Sequence, residues 1–439
     1  MLPERVILVG VGLKSEARVM ASSLAELHRL VETAGGEVVG VATQRLASYR
    51  PGTLIGSGKI AQIWAGARAH GATTVVFDRE IAPAQQKALE AALRAKIIDR
   101  TRLILDIFAR RARTSEGRLQ VELAQLSYLL PRLTGSWRGF SQQVGGIGTR
   151  GPGERQLEYE RRHIQYRIRH LQGELERVRS ARMLRRERRL AVPVPQVALI
   201  GYTNVGKSTL LNTLTRGVPG YTAWGRSPRG SPLSSPGVYA DDKLFATLDP
   251  TARRVRLPEG SWAVVTDTVG FIRRLPTTLI AAFRATLEEA ALADCLVVVN
   301  DASSAETEAQ QEAVADTLRE LGAQDLPQVR LFNKVDILDE SQRRDLEGRY
   351  PGGIFVSAAT GEGCGAALAA VQETLSRRWL LRELELPLGR AYAQAAEIRR
   401  SSQVLSQTAA DDKVRLRLRL TAENWDRLRK KLAATKKKP

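Results

Sequence analysis

The sequence is poor in the residues that staple or anchor a chain. Only two cysteines, Cys295 and Cys364, occur in 439 residues. The first opens an apolar run and the second sits between glycines. With no C-x-x-C spacing and no histidine cluster beside them, the pattern favours neither disulfides nor zinc. No uncharged apolar run reaches the roughly 18 residues a membrane span needs, and Glu4 and Arg5 stand where a signal peptide would carry its apolar core. The expectation is a chain with no membrane span, working in a reduced cytosol. Carboxylates are also in deficit: 47 Asp plus Glu face 67 Lys plus Arg, a formal charge of +20. Such a field attracts phosphate backbones.

What the chain does have is rhythm. Its length corresponds to about three domains, and changes of pattern suggest boundaries at 1–112, 113–192, 193–382 and 387–439. In the first segment the strands Val6–Val11, Val38–Val41 and Thr74–Asp78 alternate with helical stretches at Glu16–Ala34, Lys59–Gly71 and Ala84–Ala95. That alternation predicts a small parallel α/β domain. Gly56-Ser57-Gly58-Lys59 within it reads as a tight turn before a helix; a second phosphate contact is the alternative, weakened by the missing first glycine.

The second segment carries two stripes. Leu119, Leu123, Leu126, Leu130 and Leu133 follow 4-3-4-3 spacing, and so do Ile164, Ile168, Leu171, Leu175 and Val178. Glycines and Pro152 between them forbid one continuous helix, so the spacing predicts an antiparallel helical hairpin. Its tip, Gly145–Gly153, is rich in glycine. With Arg150, Arg155, Trp137 and Phe140 nearby, it offers close backbone approach, charge and stacking surface for RNA. Gly151–Leu190 holds twelve Arg and no Lys against six Glu, either an RNA-facing surface or a solvated helical face.

The third segment carries the chemistry. Gly201-Tyr202-Thr203-Asn204-Val205-Gly206-Lys207-Ser208 matches G-x-x-x-x-G-K-[ST], follows the apolar run Val197–Ile200 and precedes Thr209–Asn212, so strand, glycine loop and helix come in order. Backbone N–H groups there can cradle phosphates, Lys207 can reach the β- and γ-phosphates, and Ser208 can ligate Mg²⁺. Downstream, Trp262–Thr266 delivers Asp267-Thr268-Val269-Gly270, where Asp267 suits the metal and the Gly270 N–H suits the γ-phosphate. Asn333-Lys334-Val335-Asp336 follows a further strand, and the Asp336 carboxylate can accept from guanine N1–H and its amine. Adenine offers no such pair of donors. Ser357-Ala358-Ala359 then supplies backbone donors for the guanine O6. Between loop and metal aspartate, Phe245-Ala246-Thr247-Leu248-Asp249 offers Thr247 as the hydroxyl that closes over Mg²⁺ and the γ-phosphate. The expected catalytic set is Lys207, Thr247 and Gly270, and the expected metal set is Ser208, Thr247 and Asp267.

These segments resemble HflX-type GTPases. The similarity rests on Asp242–Thr251, Asp267–Ile272 and Phe283–Glu289, and outside the nucleotide site on Arg113–Leu126 and Gly145–Glu154. It runs from about Val6 to about Leu380. The resemblance implies GTP hydrolysis coupled to binding the large ribosomal subunit and its rRNA, with dissociation of stalled or inactive ribosomes. It also implies an α/β class, with a P-loop G domain built on a doubly wound sheet. Asn204 resembles the asparagine with which some related GTPases hold a monovalent cation such as K⁺; loop stabilisation is the alternative. Phe271 stands where Ras-like enzymes carry a water-orienting glutamine, so slow unassisted turnover is expected. Val218–Gly237 holds four Pro, four Gly and four Ser, an insertion that buries little apolar surface.

After Pro387, Val414–Leu420 alternates as a half-buried strand with a basic outer face and Glu423–Leu432 reads as a helix, predicting a small C-terminal α+β domain. GTP and GDP are the expected ligands, and a monomer is the expected state. Two other classes stay open: an RNA-binding or chaperone-like protein with nucleotide as a conformational switch, and an ATP-driven RNA remodeller.

Overall fold

The computed structural model describes residues 3–14, 17–133, 152–190, 194–216, 245, 250–273, 290–410 and 412–434. They divide into two compact units. The first comprises Met1–Val178 with the short stretches Asp241–Leu248 and Arg273–Phe283; the second holds the remainder.

In the first unit, β1 (Glu4–Leu13), β2 (Gly36–Leu46), β3 (Thr74–Phe77) and β4 (Lys96–Asp99) form a wholly parallel sheet in the order β2-β1-β3-β4. Helices α1 (Ala17–Thr33), α2 (Ser57–Ala69), α3 (Pro83–Leu93) and α4 (Arg100–Arg111) connect and follow the strands. Parallel strands covered on both faces read as continuous apolar runs, as in Val6–Val11, whose residues are all buried. Edge strand β2 alternates between half-buried and exposed instead. The apolar core combines Ile7, Val9, Val75, Phe77, Ile63 and Leu89 with neighbours from each layer. Strand β4 escaped the sequence reading because its apolar run is only Ile97-Ile98, and helix α4 escaped it too.

Helices α5 (Ser115–Leu133) and α6 (Pro152–Leu190) supply the expected pair of helices, which meet where Arg167 donates to both oxygens of Glu122, at 2.7 and 3.0 Å. The buried face of α5, however, is Gly117, Gln120, Val121, Ala124 and Tyr128. The leucine stripe is only half-buried. Gly117 and Ala124 on that face leave room for close approach, while Val121 and Tyr128 fill the contact. On α6, Leu171 is the stripe residue that is fully buried. The glycine-dense tip, Trp137, Phe140 and Arg150, and the insertion Val218–Gly237, lie outside the described residues.

The second unit is built on β5 (Gln196–Gly201), β6 (Thr251–Arg256), β7 (Trp262–Asp267), β8 (Cys295–Asp301), β9 (Gln328–Asn333) and β10 (Ile354–Phe355), in the order β10-β9-β8-β5-β7-β6. All pairings are parallel except β6 on β7, so the sheet is mixed at one edge. Helices α7 (Lys207–Arg216), α8 (Thr307–Glu320), α9 (Glu340–Arg349) and α10 (Cys364–Ser376) link the strands. Both cysteines are buried free thiols, and burial pushes Cys295 up to about 12 and Cys364 up to about 11.

A C-terminal antiparallel sheet of β11 (Trp379–Pro387), β12 (Gln403–Ala410) and β13 (Lys413–Thr421), in the order β11-β13-β12, packs with α11 (Leu388–Ala393), α12 (Ala395–Ser401) and α13 (Ala422–Ala434). Strand β13 alternates as expected, yet its basic face is partly neutralised. Lys413 and Arg415 pair with Glu385 at 2.9 and 3.3 Å, and Arg417 stands opposite Glu383. Arg419 breaks the alternation: it is buried, bonded to Ser261 and Glu259 beside β7. Among the described residues no helix is long and apolar enough to cross a membrane.

Candidate functional site

Strand β5 ends in the glycine loop, and α7 begins at Lys207, so the loop turns at the carboxyl edge of the sheet, where open α/β sheets hold ligands. Lys207 is buried and its ammonium donates to the carbonyls of Gly201 at 3.1 Å and Tyr202 at 2.7 Å. Burial lowers it from its ordinary 10.5 to about 8, against the opposing pull of the Asp267 charge. Gly206 has φ +90°, and a side chain there would run into the Asn333 amide; glycine is therefore required on both counts.

Asp267 ends β7 fully buried, and Ser208 Oγ donates to its Oδ2 at 2.6 Å. A hydroxyl and a carboxylate oxygen side by side fit Mg²⁺, which keeps most of its waters and binds through few protein groups. Thr268 Oγ1 donates to the Leu199 carbonyl at 2.6 Å, tying the metal-side strand end to β5. Gly270 then passes so close to the loop that a Cβ would lie 2.8 Å from Thr203 Cα and Cγ2 and 3.0 Å from Lys207 Nζ. Phe271 follows as a bridge partner of Tyr202: its N–H donates to the Gly201 carbonyl at 3.1 Å, and its carbonyl accepts from the Thr203 N–H at 2.8 Å. The Phe271 ring is buried and carries no hydrogen-bonding group.

On the base side, Asn333 ends β9 and joins three segments. Its Nδ2 donates to the Val205 carbonyl at 2.7 Å, and its Oδ1 accepts from the Ala358 N–H at 2.8 Å. Lys334 has φ +70° and pairs with Asp301 at 2.7 Å. Asp336 lies in a short 3₁₀ turn, Val335–Ile337, and is exposed, available to an incoming base. Ser357 is fully buried, and Ala359 is exposed. The Ala358 N–H is already committed to Asn333, so O6 recognition by that group requires the bond to be exchanged. Asn204 adopts φ +61° in the loop. Thr209 follows Ser208 in the first turn of α7, and Val269 is buried between Thr268 and Gly270.

Ala246, Thr247, Leu248 and Asp249 lie outside the described residues. Phe245 is described: it is buried with φ +57°, and its ring meets Phe108 of α4 edge-on at 4.5 Å. Both belong to the first unit. Sequence reasoning missed Asp301 and Thr213, whose Oγ1 donates to the Ala358 carbonyl at 2.6 Å. Asp301 had a usable signal, being a carboxylate at the carboxyl end of a central strand. Thr213 had none.

Residues 21–109 match the family described as GTP-binding GTPase N-terminal, residues 111–189 the GTP-binding GTPase middle region, and residues 196–334 a 50S ribosome-binding GTPase. The chain is 40% identical over 432 residues to a GTPase HflX of Caldanaerobacter subterraneus subsp. tengcongensis, covering 97% of this chain and 93% of that one. It is 42% identical to the GTPase HflX of Lacrimispora saccharolytica, at 94% and 92% coverage, and 40% identical to that of Escherichia coli K12, at 92% and 91%.

Proposed function

The chain belongs to the HflX family of GTPases and is a GTP-hydrolysing enzyme, and from that premise we propose that it binds the large ribosomal subunit and its rRNA and uses GTP to dissociate stalled or inactive ribosomes. The observation that carries this reading is the match of residues 196–334 to a 50S ribosome-binding GTPase. The charge of +20 supports a nucleic-acid partner.

Phosphoryl transfer asks the protein for positioning and charge neutralisation more than for covalent help. Lys207 brings a cation to the β- and γ-phosphates, exchanging its two carbonyl partners for phosphate oxygens. Ser208 and Asp267 would hold Mg²⁺, which neutralises phosphate charge when bound. The Gly270 N–H reports the γ-phosphate, Thr247 closes over it, and Asp336 reads guanine. Phe271 has no group to orient water, so the ribosome completes the site. Asn204 is proposed to hold K⁺ against the phosphates; identical turnover in potassium and sodium would remove that assignment.

The test is sedimentation of the full chain with isolated 50S subunits, with 30S subunits and with intact 70S particles, in a non-hydrolysable GTP analogue or in GDP. Co-migration with 50S in the analogue and a shift of 70S into subunits are expected. Replacement of the tip glycines and Arg150 should abolish co-migration while nucleotide binding persists. Binding to 50S without loss of 70S would favour the alternative in which nucleotide only sets the shape of an RNA-binding protein.

A further inference from the structure

Among the aliphatic hydroxyls of the phosphate loop and the strand end facing it, Ser208 and Thr268 are spoken for. Ser208 donates to Asp267 and Thr268 to the Leu199 carbonyl. Thr203 Oγ1, by contrast, is buried and has no hydrogen-bond partner among the described residues, on a residue only 6% exposed. A buried hydroxyl left without a partner is destabilising, so native structures keep such a group where something else satisfies it.

Its surroundings say what that is. The Thr203 methyl and Lys207 Nζ lie close to the same point at Gly270, with Thr203 Cγ2 at 2.8 Å and Nζ at 3.0 Å from where a Gly270 Cβ would sit. The ammonium and the Gly270 N–H are the groups that address the terminal phosphate in the proposed reading. The backbone N–H of Thr203 is already donated to the Phe271 carbonyl, so the hydroxyl is the donor this residue has left. We propose that Thr203 determines specificity for the triphosphate: its hydroxyl donates to a γ-phosphate oxygen, a contact that GDP cannot make. The assignment also accounts for a β-branched residue beside a glycine that tolerates no side chain. Threonine's methyl fills the contact with Gly270 while its hydroxyl remains for the ligand.

This inference rests on the reading of the pocket as a GTP site, and the experiment separates the two. Binding of fluorescent GTP-analogue and GDP is measured for the wild-type full chain, for Thr203→Val, which keeps the shape and removes the donor, and for Thr203→Ser, which keeps the donor. A hydrogen bond to a charged acceptor corresponds to about tenfold or more in affinity. Thr203→Val is expected to lose that factor for the triphosphate and retain GDP affinity, while Thr203→Ser recovers most of the loss. GDP binding is the internal check that the loop is folded. Equal loss for both nucleotides, or no loss for either, overturns the assignment, as does a serine variant as weak as the valine one. A wild-type chain that binds neither nucleotide would instead overturn the GTP-site reading itself.

Discussion

Lys207 shows at the scale of one residue how the pocket is prepared for an anion. Burial holds its ammonium at about 8 rather than 10.5, so the nucleotide-free fold carries the cost of a buried cation below pH 8. Because the native state binds fewer protons than the unfolded chain between about 8 and 10.5, that cost is relieved as pH rises through this window. A bound phosphate has the opposite preference and raises the ammonium again. GTP affinity is therefore expected to be flat between pH 6.5 and 7.5 and to fall above pH 8, by up to about tenfold per pH unit; titration calorimetry across pH 6.5–9.5 checks this, and a flat profile to pH 9.5 would contradict it. The residue types of this site were legible in the sequence because phosphate and guanine recognition demand glycine, lysine, serine and aspartate at fixed spacing. Their alternative partners were not. Nothing local to Ala358 announces that its N–H is held by Asn333, twenty-five residues away, and nothing about Thr203 announces an orphaned hydroxyl.

Among the elements, the first unit is pinned by a buried ionic cluster invisible to pattern reading. Arg100, at the start of α4, donates to Asp78 beyond β3 at 2.7 Å and to Glu26 of α1 at 2.5 Å, all three buried. Asp99 alongside accepts from the N–H of Arg102 and of Ile81 and from Arg132 of α5. Removing the cation strands two carboxylates in the interior, which costs about 3–5 kcal/mol, whereas neutralising all partners is far milder. Arg100→Met is expected to lower the urea midpoint of the full chain substantially, and adding Glu26→Gln with Asp78→Asn to restore most of it; an unchanged midpoint in Arg100→Met would contradict this role. Long strands with continuous apolar runs, such as β1 and β8, were readable because burial on both faces dictates them. Strand β4 was not, since its apolar run is only Ile97-Ile98 between Lys96 and Asp99, and the leucine stripe of α5 misled because the buried face, Gly117, Gln120, Val121, Ala124 and Tyr128, is offset from it.

At the scale of the whole molecule, chain order and compact units do not coincide. Phe245 and Arg273 flank β6, β7 and the turn after them in the chain, yet the Phe245 ring packs on Phe108, and Arg273 donates to Ser22 of α1 at 2.6 Å, both within the first unit. Asp267–Phe271 between them belongs to the second unit. The chain thus leaves and re-enters the nucleotide unit through the two segments expected to respond to GTP, an arrangement that no local sequence pattern could reveal. The kinds of element were legible, because glycine loop and alternating strands each carry their own period, but the division of the compact units within α6 was not.

In the proposed function the pocket binds GTP, the buried Phe271 ring has no group to orient the attacking water, and the large ribosomal subunit supplies what Phe271 cannot. Steady-state GTP turnover by the purified chain, measured with and without saturating 50S subunits in magnesium and potassium, tests it most directly. A slow intrinsic rate raised at least tenfold by 50S subunits is the expected result. Equal rates in the two conditions would contradict it.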